Sequence, residues 1–134
     1  MLITKNIGIW MDHSIAYIME FTTGLITTII IESKLDGQNH NVGLSNDETK
    51  PFYKEKNLQD AFYKNLGEAI HDCKEVILFG PTYAKVKLYN MLRADKRFAK
   101  TKIGVTQAEN MSAMEQEKFV MDYFSKRFFF NTAF

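Results

Sequence analysis

Val76-Ile77-Leu78-Phe79-Gly80-Pro81-Thr82-Tyr83-Ala84-Lys85 runs from four consecutive apolar residues through a Gly-Pro turn into residues of helical spacing. A short strand with no polar face is the kind buried on both sides of a parallel sheet, where crossover helices cover both faces. Gly80 turns the chain and Thr82 can cap the helix that follows, in which Lys85, Leu88, Tyr89 and Leu92 keep register. Working outward, Leu58, Phe62, Leu66, Ala69 and Ile70 predict an amphipathic helix over 57–72. On the other side Lys102 to Thr106 is a weaker strand. Ser112 and Glu115 then make a capping box ahead of a last helix carrying Phe119, Val120, Tyr123 and Phe124.

The first third of the chain has a different period. Ile7 to Met11 is a short apolar run, and Ile15, Tyr17, Met19 and Phe21 alternate with a period of two. Thr22-Thr23-Gly24 is a turn, and Leu25 to Ser33 is rich in β-branched residues. These three strands form an antiparallel meander. The order βββαβαβα predicts an α/β domain of the ribonuclease H-like class, with a mixed five-stranded sheet. Strands 1–3 are antiparallel, strands 4 and 5 are added parallel with strand 4 beside strand 1, and helices cover both faces. Between strand 3 and the first helix, residues 34–56 read as a polar, mobile loop punctuated by Gly, Asn, Asp, Ser and Pro51.

Composition narrows the class without naming an activity. A chain of 134 residues suits one domain, expected over 1–134. Cys73 is the single cysteine, which excludes an internal disulfide and a cysteine-rich zinc site and suits a reducing cytoplasm. No apolar run approaches the ~18 residues of a membrane span, and the first residues lack the basic and apolar regions of a signal peptide. No cofactor, metal or membrane partner is expected.

Three segments resemble one family. Gly8-Ile9-Trp10-Met11-Asp12-His13-Ser14 is similar to the opening of small bacterial and archaeal proteins related to peptide-chain release factors. The stretch Val76–Lys85 is similar to the hydrophobic–Gly-Pro-x-x-x-Lys turn in the middle domain of archaeal and eukaryotic release factors and Pelota. Gln116 to Phe124 resembles the closing helix of the bacterial relatives. The resemblance implies a translational-machinery domain of the ribonuclease H-like class. In release factors the loop after strand 3 carries Gly-Gly-Gln, which promotes peptidyl-tRNA hydrolysis. Here that loop holds Asp36-Gly37-Gln38, with one glycine and few basic neighbours, a departure that speaks against hydrolysis.

Two sites stand out in the residues themselves. Asp12 and His13 end strand 1, where a carboxylate beside an imidazole suits a general base or a divalent ion, or else forms a solvated hairpin turn. With Gln38 they are the catalytic candidates of a hydrolase or nuclease reading, although two-metal chemistry needs more carboxylates than Glu20 and Glu32 can add. Gly80, Thr82 and Lys85 open a helix whose free amides attract phosphate, and adjacent strands 1 and 4 would bring them beside Asp12. From there Lys85, Lys87, Arg93, Lys96, Arg97, Lys100 and Lys102 set seven basic residues against the single acid Asp95, the footprint of an RNA contact. A non-catalytic RNA- or ribosome-binding module is the leading reading. The alternatives are the metal-dependent hydrolase and a protein-interaction module, possible as a homo-oligomer, using the Phe128-Phe129-Phe130 tail. Limited proteolysis is expected to cut first between residues 35 and 50; uniformly slow amide exchange there counts against a mobile loop.

Overall fold

Alternation sets the faces of the first three strands, and a glycine sets their second tight turn. The structure is a computed structural model that describes residues 5–22, 24–33 and 51–132, the side chains of 51–57 and 126–132 excepted. β1 (Asn6–Met11), β2 (Ile15–Thr22) and β3 (Leu25–Glu32) form the expected meander, and Gly24 takes a φ of 84° in the β2–β3 turn. Helix α1 (Pro51–Ile70) follows, then β4 (Glu75–Gly80), α2 (Ala84–Arg93), a 3-10 turn (Lys96–Phe98), β5 (Lys102–Gln107) and α3 (Ala113–Thr132). The sheet order is β3-β2-β1-β4-β5, with β4 parallel to both β1 and β5. The ribonuclease H-like arrangement read from the sequence is therefore the one observed.

One boundary differs. α1 begins at Pro51 rather than at residue 57, so residues 51–56 are helical and not loop. Proline suits a first helical turn, because its missing N–H has no partner to lose there. Residues 34–50, with Gln38 and His40, lie outside the described residues. So do the side chains of Phe128, Phe129 and Phe130. At its other end α1 stops where Asp72 takes a φ of 69°, the left-handed geometry that closes helices.

The period of two divides the sheet into two cores. Ile7, Ile9 and Met11 of β1 join Val76 and Leu78 of β4 beneath Phe62, Leu66 and Ile70 of α1 and Leu88 and Leu92 of α2. Trp10, Ile77 and Phe79 face the other way, against Val120 and Phe124 of α3. Each of these side chains contributes about 1.5–3 kcal/mol by leaving water. Ring contacts tighten the second layer, with the Phe79 and Phe119 centroids 4.3 Å apart and Trp10 edge-on to Tyr17 at 5.9 Å. The Trp10 indole N–H donates to the Glu109 carbonyl at 3.3 Å, so the ring is buried without an orphaned donor. Cys73 is buried beneath α1, and burial pushes its thiol up to about 11.

α3 can lie this close because β1 carries no side chain at the crossing. A Cβ on Gly8 would fall inside the van der Waals envelope of Val120 Cγ2. Gly8→Ala is expected to cost about 1–3 kcal/mol in urea denaturation, as overpacking does, and Val120→Ala in the same chain should recover part of it. Simple additivity of the two changes is the result that removes this contact from the account.

Candidate functional site

Parallel pairing of β1 with β4 brings two chain turns together at the carboxyl ends of the strands. Trp10 pairs with Phe79, which sets Met11 against Gly80. Gly80 has a φ of 152°, and any Cβ there would collide with the Met11 carbonyl oxygen. Only glycine meets both requirements. Asp12 lies just beyond, as the strand order implies. Its Oδ1 accepts from Ser14 N at 2.8 Å, Ser14 Oγ at 3.3 Å and Ile15 N at 3.0 Å, while Asp12 N donates to the Ile15 carbonyl at 3.0 Å. This is turn chemistry, a carboxylate stapling its own hairpin. His13 is exposed beside it. Among the described residues no three His, Cys, Asp or Glu side chains gather as a metal site would require.

Lys85 turns inward. It is 5% exposed, and its Nζ donates to the Thr82 carbonyl at 2.6 Å and to Gln107 Oε1 at 2.9 Å. Gln107 Nε2 in turn donates to the Pro81 carbonyl at 3.3 Å, and Ala108 N donates to the Gly80 carbonyl at 3.1 Å. Thr82 Oγ1 accepts from Ala84 N at 3.2 Å. The Gly80-Pro81-Thr82 turn is thus tied to the end of β5 directly at the Gly80 and Pro81 carbonyls and through Lys85 at the Thr82 carbonyl. Burial lowers the Lys85 pKa from its ordinary value, because the charged form is desolvated and meets only neutral oxygens. Gln107 escaped the sequence reading. Its partnership follows only from the β4–β5 register, which sets it opposite Gly80.

The basic run leaves this end of the sheet. α2 spans ten residues, about 15 Å of helix, and carries the chain from Lys85 to Arg93 at the opposite pole. The lysines beyond α2 therefore lie at the far end of that helix from its start. At the far pole Lys74 N donates to the Lys5 carbonyl at 2.8 Å, and Lys102 N donates to the Lys74 carbonyl at 3.0 Å. Lys5 and Lys74 thus immediately precede β1 and β4, and Lys102 opens β5 in register with Glu75, so the three stand at the amino ends of neighbouring strands about 4.8 Å apart. All three are exposed, as are Lys87, Arg93, Lys96 and Lys100. Lys5 and Lys74 are distant in sequence from the basic run, so no window along the chain could include them.

Arg97 differs from its neighbours. Its Nη2 donates to Asp95 Oδ2 at 2.9 Å and its Nη1 to Glu68 Oε2 at 3.0 Å, and its guanidinium lies 5.8 Å from the Phe98 ring centroid. The Arg97 hydrogen bonds hold the Asp95 carboxyl below its usual range. Two carboxylates counter this cation, whereas Lys74, Lys100 and Lys102 have no ion pair among the described residues.

No protein-family model matches the chain. No curated protein matches it. Solved structures do. The Thermoplasma acidophilum Pelota protein superposes with a TM-score of 0.58 at 15% identity, over 88% of this chain and 32% of that one. Archaeoglobus fulgidus Pelota gives 0.55 at 13% identity, over 89% of this chain and 32% of that one. The archaeal translation termination factor aRF1 gives 0.55 at 14% identity, over 85% and 32%. The chain spans about a third of the length of each protein it matches. At such identities the likeness is one of fold, and in fold this chain is a release-factor- and Pelota-like domain.

Proposed function

We propose that the domain is a translation-associated module that binds RNA backbone, on the ribosome or on a ribosomal ligand, in the cytoplasm. The observation that carries this reading is the lysine pole, where exposed Lys5, Lys74 and Lys102 stand at the amino ends of three neighbouring strands and exposed Arg93, Lys96 and Lys100 lie at the end of α2 and on its connection to β5. Exposed lysines without carboxylate partners keep their full field for a polyanion. We place the contact there rather than on Gly80, Thr82 and Lys85, whose carbonyl, hydroxyl and ammonium groups are already bonded within the turn or to Gln107 and Ala108 at the end of β5. Arg97 braces the pole through Asp95 and Glu68. Lys87 lies along α2, between the two ends.

The fold likeness to Pelota and aRF1 supports a role in translation. Hydrolysis of peptidyl-tRNA is not part of the proposal, because Asp36-Gly37-Gln38 stands where the resemblance calls for Gly-Gly-Gln. The bonds that hold Asp12 in its hairpin weigh against a hydrolase built on Asp12 and His13.

Anisotropy titrations with tRNA at several salt concentrations test the contact. Each phosphate neutralised contributes about 0.7–0.9 log units of affinity per tenfold change in salt, so replacing Lys74, Lys100 and Lys102 by alanine should flatten the slope by roughly 2. All RNA sequences should weaken alike, since phosphate contacts position without specifying. Lys85→Met should lower the urea midpoint and leave RNA affinity unchanged. An unaltered slope in the triple variant removes RNA from this pole. In a release assay on programmed ribosomes, no activity is expected above background; a release activity that collapses in Gln38→Ala overturns the non-hydrolytic reading.

A further inference from the structure

β3 is an outer strand: β2 lies on one side of it and, among the described residues, no strand on the other. Exposed edges in natural sheets are blunted by lysine, proline or a bulge, because their unpaired N–H and C=O groups template further pairing. β3 has none of these devices over Leu25-Ile26-Thr27-Thr28-Ile29-Ile30-Ile31. The opposite edge is shorter and starts at Lys102. β3 also displays large apolar side chains, with Leu25 70%, Ile29 49% and Ile30 55% exposed.

The direction of the free backbone groups follows from one hydrogen bond. Ser33 N donates to the Ser14 carbonyl at 2.7 Å, continuing the β2–β3 register beyond Ile15 and Glu32. In an antiparallel ladder alternate residues turn both backbone groups to the same neighbour. Leu25, Thr27, Ile29 and Ile31 therefore bond β2, and Ile26, Thr28, Ile30 and Glu32 direct their N–H and C=O groups outward.

We infer that β3 pairs antiparallel with β3 of a second copy about a two-fold axis at Thr28, joining two five-stranded sheets into one. With the axis normal to the sheet, each residue faces one on the same side of the partner sheet. Thr28 then meets its own mate and Ile26 meets Ile30, and each of these pairs exchanges two backbone hydrogen bonds. Leu25 falls opposite Ile31 and Ile29 opposite Thr27. The three exposed apolar side chains thereby gain β-branched neighbours, the cross-strand pairs that stabilise sheets. Glu32, the only charge on β3, falls opposite Gly24, so no like charges are opposed within the ladder. Moving the axis one residue to Ile29 instead sets Glu32 against Ile26 and Leu25 against Ser33. Thr28 is the register the sequence favours. Off the strand, Glu117, which accepts from the Thr28 hydroxyl at 3.4 Å, approaches its mate near the axis, a repulsion that salt screens.

Two strands bury a narrow strip, so the dimer is expected at the weak end of protein association and dependent on concentration. Sedimentation velocity over a concentration series, in roughly 0.15 M salt, should show a monomer–dimer equilibrium. Ile30→Lys sets a charge against Ile26 of the mate and should leave a monomer with unchanged far-UV dichroism and melting temperature. Thr28→Pro removes an amide that the ladder to β2 does not use, and should do the same. In hydrogen exchange the amides of Ile26, Thr28 and Ile30 should be slow at high concentration and fast on dilution, while those of Thr27 and Ile29 stay slow throughout. A chain monomeric at every concentration, a dimer that persists in Ile30→Lys, or protection of Ile26, Thr28 and Ile30 that survives dilution would each overturn the inference. The last of these would mean that the chain covers its own edge.

Discussion

β1 pairs antiparallel with β2 on one side and parallel with β4 on the other, and most of the remaining structure follows from the second pairing. Antiparallel strands can be joined by a tight turn, but a parallel neighbour requires the chain to return the length of the sheet. α1 lies on that return, and α2 makes the next one, from β4 to β5. Both pack on the face of Ile7, Ile9 and Met11. The opposite face, with Trp10, Ile77 and Phe79, then needs its own cover, and α3 supplies it. Gly8 permits the close approach of α3, and Gly80 permits the close approach of the β4 turn to β1. A side chain at Gly8 would push α3 off the sheet, and one at Gly80 would push the β4 turn away from β1.

The same topology separates two kinds of polar chemistry. At the carboxyl ends of the strands, Asp12 is bonded within its own hairpin and Lys85 to its own turn and to Gln107 of β5, so both fix local structure. A buried ammonium is costly unless its donors are met, and the Thr82 carbonyl and Gln107 meet two of them. At the amino ends the lysines are exposed, and their backbones rather than their side chains tie the strands together. Side chains excused from structural work are the ones a polyanion can recruit.

Legibility in the sequence tracks the range of the interaction. The switch from a period of two to helical spacing, the apolar run Val76–Phe79 and the Ser112–Glu115 box are local, and they were enough for the element order and the place of strand 4 beside strand 1. The Ser112–Glu115 box is present as read, with Ser112 N donating to Glu115 Oε1 at 2.9 Å and Glu115 N to Ser112 Oγ at 3.2 Å. The start of α1 was missed because its first turns, Pro51-Phe52-Tyr53-Lys54-Glu55-Lys56, show no apolar periodicity of their own. The site was less legible because it depends on register and packing. Lys85 reads in the sequence as a phosphate candidate, and its bond to Gln107, 22 residues away, is visible only once the β4–β5 register sets Gln107 opposite Gly80. Arg97 looked like its lysine neighbours until Glu68 arrived from α1.

The lysine pole and the β3 edge are different surfaces, and their geometry constrains how they act together. β1, β3, β4 and β5 run in one direction, with β2 alone reversed. A two-fold axis normal to the sheet at β3 reverses the second copy, so the two lysine poles project from opposite ends of the joined sheet. Ten strands at about 4.8 Å spacing span roughly 43 Å, and β1, β4 and β5 of each copy lie toward the outer halves of that width. One short RNA segment cannot lie across both poles at once. In the proposed dimer, pairing through β3 would therefore give no avidity for a single compact RNA site and would leave the affinity of each pole unchanged. The same arrangement would allow two RNA segments approaching from opposite sides to be held by one dimer, because the proposed pairing of the strands covers neither pole.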